Sequence, residues 1–200
     1  MNNNYTFVGS MACSIDFSRR RFLGDGLMLC AGVLMANKTL SATLSDSKKD
    51  GKVLIENFSV TGESQGTAEV ERVIKDDAEW RKILSATAYQ VTRKEGTERA
   101  FTGEYAKNHA AGLYRCICCD TALFDSKTKF ESGTGWPSFW QSISHFNVVE
   151  TTDDTLGMRR VAVSCRRCDA HLGHVFNDGP KPTGLRYCMN SAALHFVAFT

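Results

Sequence analysis

The chain of 200 residues has no hydrophobic run long enough to cross a bilayer. Its apolar stretch at residues 27–36 is shorter than the about 20 residues that a transmembrane helix needs. Stable membrane insertion is therefore not expected. The sequence also lacks internal repeats and a regular alternation of strands with helices, so neither a solenoid nor a parallel α/β sheet is favoured.

An excess of charge of one sign is absent from most of the chain. The sequence has 24 Lys and Arg and 22 Asp and Glu. Residues 1–44 contain four of the basic and two of the acidic residues, which leaves 20 of each sign in the rest. This neutrality argues against a nucleic acid as partner.

The N-terminal segment differs in character from the rest of the chain. The run Ser-Arg-Arg-Arg-Phe-Leu at residues 18–23 precedes the apolar stretch, which predicts a twin-arginine-like export signal over residues 1–44 and an exported protein in the periplasm or an equivalent lumen. The alternatives are an organellar transit peptide and a disordered basic leader. Residues 45–70 are polar and are expected to form a linker or arm before one domain at residues 71–200.

Local patterns within residues 71–200 indicate a mainly β fold. Asp76 can cap a short helix over residues 77–84, which has acidic residues in its first turn and basic residues later. Residues 147–151, 159–164 and 186–199 are strand-like, with Gly, Asp and Pro turns between them. We expect two small antiparallel sheets with short N-terminal helices, in a monomer.

Four of the eight cysteines form two C-x-x-C pairs, Cys116 with Cys119 and Cys165 with Cys168. Two such turns can supply the four thiolates of a structural Zn²⁺ site, a zinc knuckle with four cysteine ligands. The alternative is two disulfides, but a bridge across two residues closes a small strained ring and gains little stability. Cys118 is expected not to bind the metal, because C-x-C spacing is less usual in a knuckle.

A further cysteine, Cys188, lies outside these pairs in a strand-like run. Alternation of side chains puts Arg186, Cys188 and Asn190 on one face, where the cation would favour the thiolate of a thiol whose ordinary pKa is about 8.5. A lone cysteine is more often a buried core residue. His171 and His174 favour the reactive interpretation, since a metal with four sulfurs leaves an imidazole free to donate a proton.

Six sequence blocks resemble the methionine-R-sulfoxide reductase family, in family order from about residue 74 to residue 199. The blocks are GTERAFTGEY at 96–105, YRCICC at 114–119, FESGTGWPSF at 130–139, CRRC at 165–168, HLGHVF at 171–176 and RYCMNS at 186–191. The resemblance implies reduction of the R epimer of methionine sulfoxide in oxidised proteins, a mainly β fold and a structural zinc.

The resemblance also implies roles for individual residues. The catalytic residues would be Cys188 as nucleophile, His174 as the acid and Asn190; the substrate-binding residues would be Trp136 beside the methyl group, His171 and Arg186; the metal ligands would be Cys116, Cys119, Cys165 and Cys168. Attack on the sulfoxide would leave a sulfenic acid on the nucleophile, which a second thiol must reduce.

Recycling of the sulfenic acid is the point at which the chain departs from the family pattern. Many members have a resolving cysteine where this chain has Thr134. We expect direct reduction by thioredoxin, glutaredoxin or another thiol, with Cys118 as the alternative partner. Two other functions stay open at this point: a zinc-ribbon binding module, in which Cys188 would be dispensable, and a cysteine hydrolase, which would need an oxyanion hole.

Overall fold

A computed structural model describes residues 51–153 and 160–200. The expected export signal at residues 1–44 lies outside these ranges and stays a prediction. Among the described residues, no helix is long and apolar enough to cross a membrane.

Eleven strands and two α-helices, numbered in chain order, make up the regular structure of the described residues. The strands are β1 Lys52–Phe58, β2 Ser64–Glu71, β3 Gly112–Cys116, β4 Ala122–Asp125, β5 Lys129–Phe130, β6 Ser138–Phe139, β7 Val148–Asp153, β8 Arg160–Cys165, β9 His171–Phe176, β10 Arg186–Met189 and β11 Leu194–Ala198. The helices are α1 Asp77–Ile83 and α2 Ala86–Lys94, and short 3₁₀ turns occupy Ser126–Thr128 and Ser191–Ala193.

All sheets in the described part of the chain are antiparallel. One has six strands in the order β5-β6-β10-β9-β8-β7, a second has the order β11-β3-β4, and β1 and β2 form a separate hairpin. The mainly β fold with short N-terminal helices is therefore confirmed, and the hairpin adds a third sheet to the expected two.

The core lies between the six-stranded and three-stranded sheets and is rich in aromatic rings. Phe124 of β4 stacks on Phe139 of β6 with ring centroids 4.4 Å apart, and the edge of Tyr114 from β3 meets Phe139 at 5.0 Å. All three side chains are fully buried. Their burial removes a large apolar area from water and fixes the two sheets against each other.

The expected cap of α1 is present as a capping box. Asp76 accepts a hydrogen bond from the Glu79 backbone N–H, and the Glu79 carboxylate accepts one from the Asp76 N–H, both at 2.8 Å. The second helix, α2, begins after Ser85 and packs its buried face against β9 and the turn at Ser191–Ala193.

The segment expected to be a linker or loosely packed arm contains the β1–β2 hairpin. Its backbone is held at Glu56, whose N–H donates to Asn147 Oδ1 and whose carbonyl accepts from Asn147 Nδ2, both at 2.8 Å. Ile55 beside it is 4% exposed. The polar composition of this segment concealed an ordered hairpin, because the residue that anchors it is distant in sequence.

The single strand expected over residues 186–199 is wrong, since the chain forms β10 and β11 in different sheets. The break falls at Ser191 and Ala192, whose backbone N–H groups donate to the carboxylate of Glu98 rather than to a neighbouring strand. Asn190 consequently lies beyond the end of β10, where its side chain bonds to the Glu98 N–H and the Leu172 carbonyl.

Candidate active site and metal centre

The four C-x-x-C cysteines converge at the ends of two hairpins. One pair lies in the turn between β3 and β4 and the other in the turn between β8 and β9. Their sulfur atoms all lie within 4.8 Å of one another, with Cys116 Sγ 3.6 Å from Cys168 Sγ and Cys119 Sγ 3.5 Å from Cys165 Sγ.

These sulfur positions fit a tetrahedral metal site. Four thiolates about 2.3 Å from a Zn²⁺ ion are about 3.8 Å apart, close to the spacing of the two sulfur pairs. None of the six cysteines in the described residues forms a disulfide, so the alternative of two bridges is wrong. Cys118 is not among the four converging residues. The cluster can therefore bind a metal ion through four sulfurs.

Cys188 is separate from this cluster, on the central strand β10. Its neighbours in the pairing register are His174 on β9 and Ser138 on β6. Thr134 Oγ1 lies 3.9 Å from Cys188 Sγ, and Ser132 Oγ bridges Thr134 Oγ1 and Ser138 Oγ at 2.8 Å each. The thiol therefore lies beside a chain of three hydroxyl groups that the sequence alone did not reveal.

The protonation state of Cys188 reflects opposing effects. Burial raises the pKa of its thiol above the ordinary value, and this outweighs the lowering by Thr134, by the charge of Arg186 and by Ser138. The sequence-based expectation that Arg186 favours the thiolate is correct in sign but smaller than the effect of burial. Without substrate, the thiol is therefore protonated near neutral pH.

The guanidinium of Arg186 also pairs with a carboxylate. Its Nε and one Nη donate to the two carboxylate oxygens of Asp178 at 2.9 and 2.8 Å, and it lies over the ring of Phe176 at 4.4 Å. This bidentate pair offsets the positive charge that would act on Cys188.

The two histidines share one face of the six-stranded sheet. A register irregularity between β8 and β9 lies beside His171, and the ring centroids of His171 and His174 are 5.3 Å apart. His174 Nε2 is 2.8 Å from Asp153 Oδ2, which also accepts from Arg160 at 2.8 Å. Both imidazoles line a cavity of about 570 Å³.

His171 is buried and has a different electrostatic environment. Desolvation is the main cause that lowers its pKa to about 4, the positive charges of His174 and Arg160 contribute to this lowering, and Asp153 opposes it. Its Nε2 has no hydrogen-bond partner among the described residues. His171 is therefore neutral at pH 7, with one ring nitrogen available to a ligand in the cavity.

Gly173, between the histidines, permits the close approach of β9 and β10. A Cβ atom at this position would lie 2.1 Å from the carbonyl oxygen of Cys188, and the backbone φ is +157°. A side chain there would push apart the strands that bear His174 and Cys188.

Trp136 lies in the loop that leads into β6 and is half-buried. Its indole Nε1 donates to the backbone carbonyl of Glu98 at 3.1 Å, and the Trp136 backbone carbonyl accepts from Ser138 Oγ at 3.2 Å. The outer side of Trp136 lines a groove of about 240 Å³ together with the exposed ring of Phe101. An aromatic wall is thus fixed two residues from Ser138, the β6 neighbour of Cys188.

Asn190 joins three segments of the site. Its Oδ1 accepts from the Glu98 N–H at 3.0 Å, and its Nδ2 donates to the Leu172 carbonyl at 3.0 Å. The sequence patterns did not single out Glu98, Asp153, Ser132 or Ser138, although Glu98 and the two serines lie within blocks that carry the family resemblance.

Comparison with known proteins gives a consistent picture. The SelR domain model matches residues 84–198, which excludes the β1–β2 hairpin. The chain is 56% identical over 128 residues to peptide methionine sulfoxide reductase MsrB of Herminiimonas arsenicoxydans, covering 64% of this chain and 93% of the relative. It is 58% identical over 122 residues to the protein of that name from Thiobacillus denitrificans, covering 61% and 92%. It is 59% identical over 122 residues to the chloroplastic peptide methionine sulfoxide reductase B1 of Arabidopsis thaliana, covering 60% and 59%.

Proposed function

Because the chain belongs to the SelR family of peptide methionine sulfoxide reductases, it is an oxidoreductase that reduces methionine sulfoxide, and we propose that it acts on the R epimer in oxidised proteins through Cys188. The observation that carries this proposal is the direct pairing of Cys188 with His174 on adjacent strands. A nucleophile and a proton-transfer group are then neighbours, as covalent catalysis requires.

The first step transfers oxygen from the substrate to the enzyme. His174 accepts the Cys188 thiol proton while Asp153 holds the resulting imidazolium. The thiolate attacks the sulfoxide sulfur to form a transient S–S bond, and His174 returns the proton to the sulfoxide oxygen. The hydroxyl group then transfers to the Cys188 sulfur as the S–S bond and the substrate S–O bond break, so the cysteine sulfur loses the two electrons that reduce the sulfoxide to a thioether.

Preference for the R epimer follows because the site positions three substituents of the sulfoxide sulfur at the same time. The methyl group rests against the indole of Trp136, the oxygen faces the two histidines, and the peptide chain leaves toward solvent. In the S epimer the oxygen and methyl group exchange directions, so the oxygen meets an apolar wall and loses its hydrogen bonds.

The second step regenerates the thiol. Thr134 Oγ1 lies 3.9 Å from the Cys188 sulfur, and a hydroxyl group cannot form a disulfide. A small thiol, thioredoxin or glutaredoxin therefore attacks the sulfenic acid, water leaves, and a second thiol releases Cys188 and a disulfide.

We also propose that the ion at the four-cysteine cluster is Zn²⁺. The donor set of four thiolates and its tetrahedral spacing favour zinc over harder cations. Four cysteine ligands would leave such an ion no open position, so its contribution would be to stabilise the fold. No step of the reaction passes through it.

An assay with separate R and S epimers of a methionine sulfoxide peptide tests the proposal. Wild type is expected to reduce only the R epimer with dithiothreitol, and Cys188→Ser should lower turnover by at least about 10³-fold. Cys118→Ser serves as the matched control and should remain active with unchanged metal content. Turnover that persists in Cys188→Ser, or a preference for the S epimer, would contradict the proposal.

Mass spectrometry after one turnover without reductant examines the recycling step. A sulfenic acid is expected at Cys188 in the wild type. In Thr134→Cys the new sulfur would replace an oxygen 3.9 Å from the Cys188 sulfur, so an intramolecular disulfide should form instead. A disulfide between Cys118 and Cys188 in the wild type would refute direct reduction.

A further inference from the structure

We propose that Glu98 is a positioning residue, which holds the indole of Trp136 and the chain that follows Cys188 in a fixed relation. This inference rests on the proposed role of Trp136 as the wall of the methyl pocket. Glu98 lies in the irregular segment between α2 and β3, is half-buried, and makes contacts through its carboxylate and both backbone polar groups.

The carboxylate of Glu98 binds the backbone immediately after the catalytic strand. Its Oε1 accepts from the Ser191 N–H at 2.6 Å, and its Oε2 accepts from the Ala192 N–H at 2.9 Å. Hydrogen bonds to a charged acceptor are about twice as strong as neutral ones. The two hydrogen bonds to Glu98 turn the chain two residues after Cys188, and β10 ends there.

The backbone of Glu98 provides the other half of the connection. Its N–H donates to Asn190 Oδ1 at 3.0 Å, and its carbonyl accepts from the Trp136 indole at 3.1 Å. One residue therefore links the indole directly to the segment that begins two positions beyond Cys188.

The neighbouring chain leaves space for this carboxylate. A Cβ atom at Gly103 would lie 2.4 Å from Glu98 Oε1 and 2.3 Å from Ser191 Oγ. Ser191 Oγ in turn accepts from the Tyr105 N–H at 3.2 Å. Residues 98–105 thus wrap around the carboxylate, and only glycine fits at the closest point.

In the proposed mechanism, the hydrogen bonds of Glu98 affect the reaction rate. The methyl group and the sulfoxide sulfur must meet the indole and the Cys188 sulfur simultaneously, and a misplacement of about 1 Å can lower the rate about 100-fold. Without the carboxylate, the Ser191 and Ala192 N–H groups lose their acceptors and the segment shifts. The carboxylate makes no contact with Cys188, so the chemistry of proton transfer is not altered directly.

Kinetics of Glu98→Ala in the full chain test the inference. We expect kcat/KM for the R-sulfoxide peptide to fall about 10- to 100-fold, while the bound metal and the rate of Cys188 alkylation stay near the wild-type values. Glu98→Gln keeps one acceptor oxygen and should give an intermediate loss. If Glu98→Ala folds poorly, the glutamine variant alone provides the comparison with wild type.

Asp76→Ala is the matched control, because it removes another carboxylate that accepts a backbone N–H, at the start of α1 and away from the site. It should lower the melting temperature and leave kcat/KM unchanged. If Glu98→Ala and Glu98→Gln likewise lose only thermal stability and keep wild-type kcat/KM, Glu98 is not a positioning residue.

A second measurement is independent of turnover. In the ¹⁵N spectrum of the tryptophan-labelled protein, the Trp136 indole resonance, assigned with Trp136→Phe, should move toward that of a free indole in Glu98→Ala. An unchanged resonance would overturn the inference. A wild type that fails to reduce the R epimer would instead refute the proposed function and leave this spectroscopic result intact.

Discussion

His171 and His174 are three residues apart, yet burial gives them different chemistry. His174 is held against Asp153, whereas His171 is enclosed by the cavity wall, and its Nε2 has no partner among the described residues. A neutral imidazole can donate or accept a hydrogen bond without changing its charge, which suits a group that orients the sulfoxide oxygen. In the proposed mechanism, His171 therefore orients the sulfoxide oxygen, and His174, which is paired with the Asp153 carboxylate, transfers the proton.

The low pKa of His171 predicts an acid-dependent loss of stability. The folded-state value is about 4, below the about 6.5 of an unfolded chain. As the pH falls through this window the unfolded state binds a proton that the folded state does not, so stability is lost on acidification. The loss is about 3 kcal/mol once the pH is below both values. Urea unfolding from pH 7 to pH 4 should show a shallower decline for His171→Gln than for the wild type.

A variant of an exposed histidine, His109→Gln, is the control for this measurement and should keep the wild-type pH dependence. The side chain of His109 is 72% exposed, so its replacement removes an imidazole without disturbing the core. Equal slopes for His171→Gln and the wild type would show that His171 does not cause the acid-dependent loss.

The β1–β2 hairpin is attached to the second metal-binding turn, which itself bonds to the first. Arg167, inside the second C-x-x-C turn, donates to the carbonyl of Glu71 at 3.2 Å and to that of Cys119 at 3.5 Å. Arg72 forms an ion pair with Asp169 directly after that turn. The hairpin therefore restrains the loops that must open before a metal ion can leave.

Loosening this attachment is expected to speed the loss of metal. Arg72→Ala removes the ion pair with Asp169, and pairs of this kind contribute up to about 1 kcal/mol, or about a fivefold change in rate. Transfer of zinc from Arg72→Ala to a coloured chelator should therefore be about two- to fivefold faster than from the wild type. Lys52→Ala, at the exposed start of β1, should release zinc at the wild-type rate. Equal rates for both variants would mean that the hairpin does not restrain the metal site.

At the scale of the whole domain, the four-cysteine cluster connects two sheets. One C-x-x-C turn joins strands of the three-stranded sheet, and the other joins strands of the six-stranded sheet. Cys116, Cys165 and Cys168 are also buried within the hydrophobic core. A bound ion therefore cross-links the two halves of the core at the point where they meet.

Removal of the metal is expected to unfold the domain. Zinc binding to four thiolates provides about 10–16 kcal/mol, which equals or exceeds the about 5–15 kcal/mol that stabilises a typical domain. Circular dichroism during titration with a strong chelator should show loss of β structure in parallel with zinc release. Cys118→Ser should behave as the wild type. A metal-free protein with an unchanged melting temperature would contradict this prediction.

The features that could be predicted from the sequence depend on residues that are close together along the chain. The cap of α1 needs only Asp76 and Glu79. The pairing of β7 with β8 involves two strand-like runs that are close together in the sequence. The metal cysteines could be identified because a spacing of two residues brings two sulfurs together whatever the rest of the chain does.

The features that could not be predicted depend on partners far along the chain. The turn after Asn190 is set by a carboxylate more than 90 residues earlier, and the hairpin is anchored by Asn147, also about 90 residues from its partner. No local periodicity contains such information.

The sequence by itself determined the candidate residues for the chemistry: two pairs of cysteines that could bind a metal, and one further cysteine with histidines nearby. Only the tertiary structure decided the protonation state of that cysteine and the hydrogen bonds that Glu98 makes near it. Burial depends on atoms contributed by several strands, so the raised pKa of Cys188 and the bonds of Glu98 exist only once those strands have packed together.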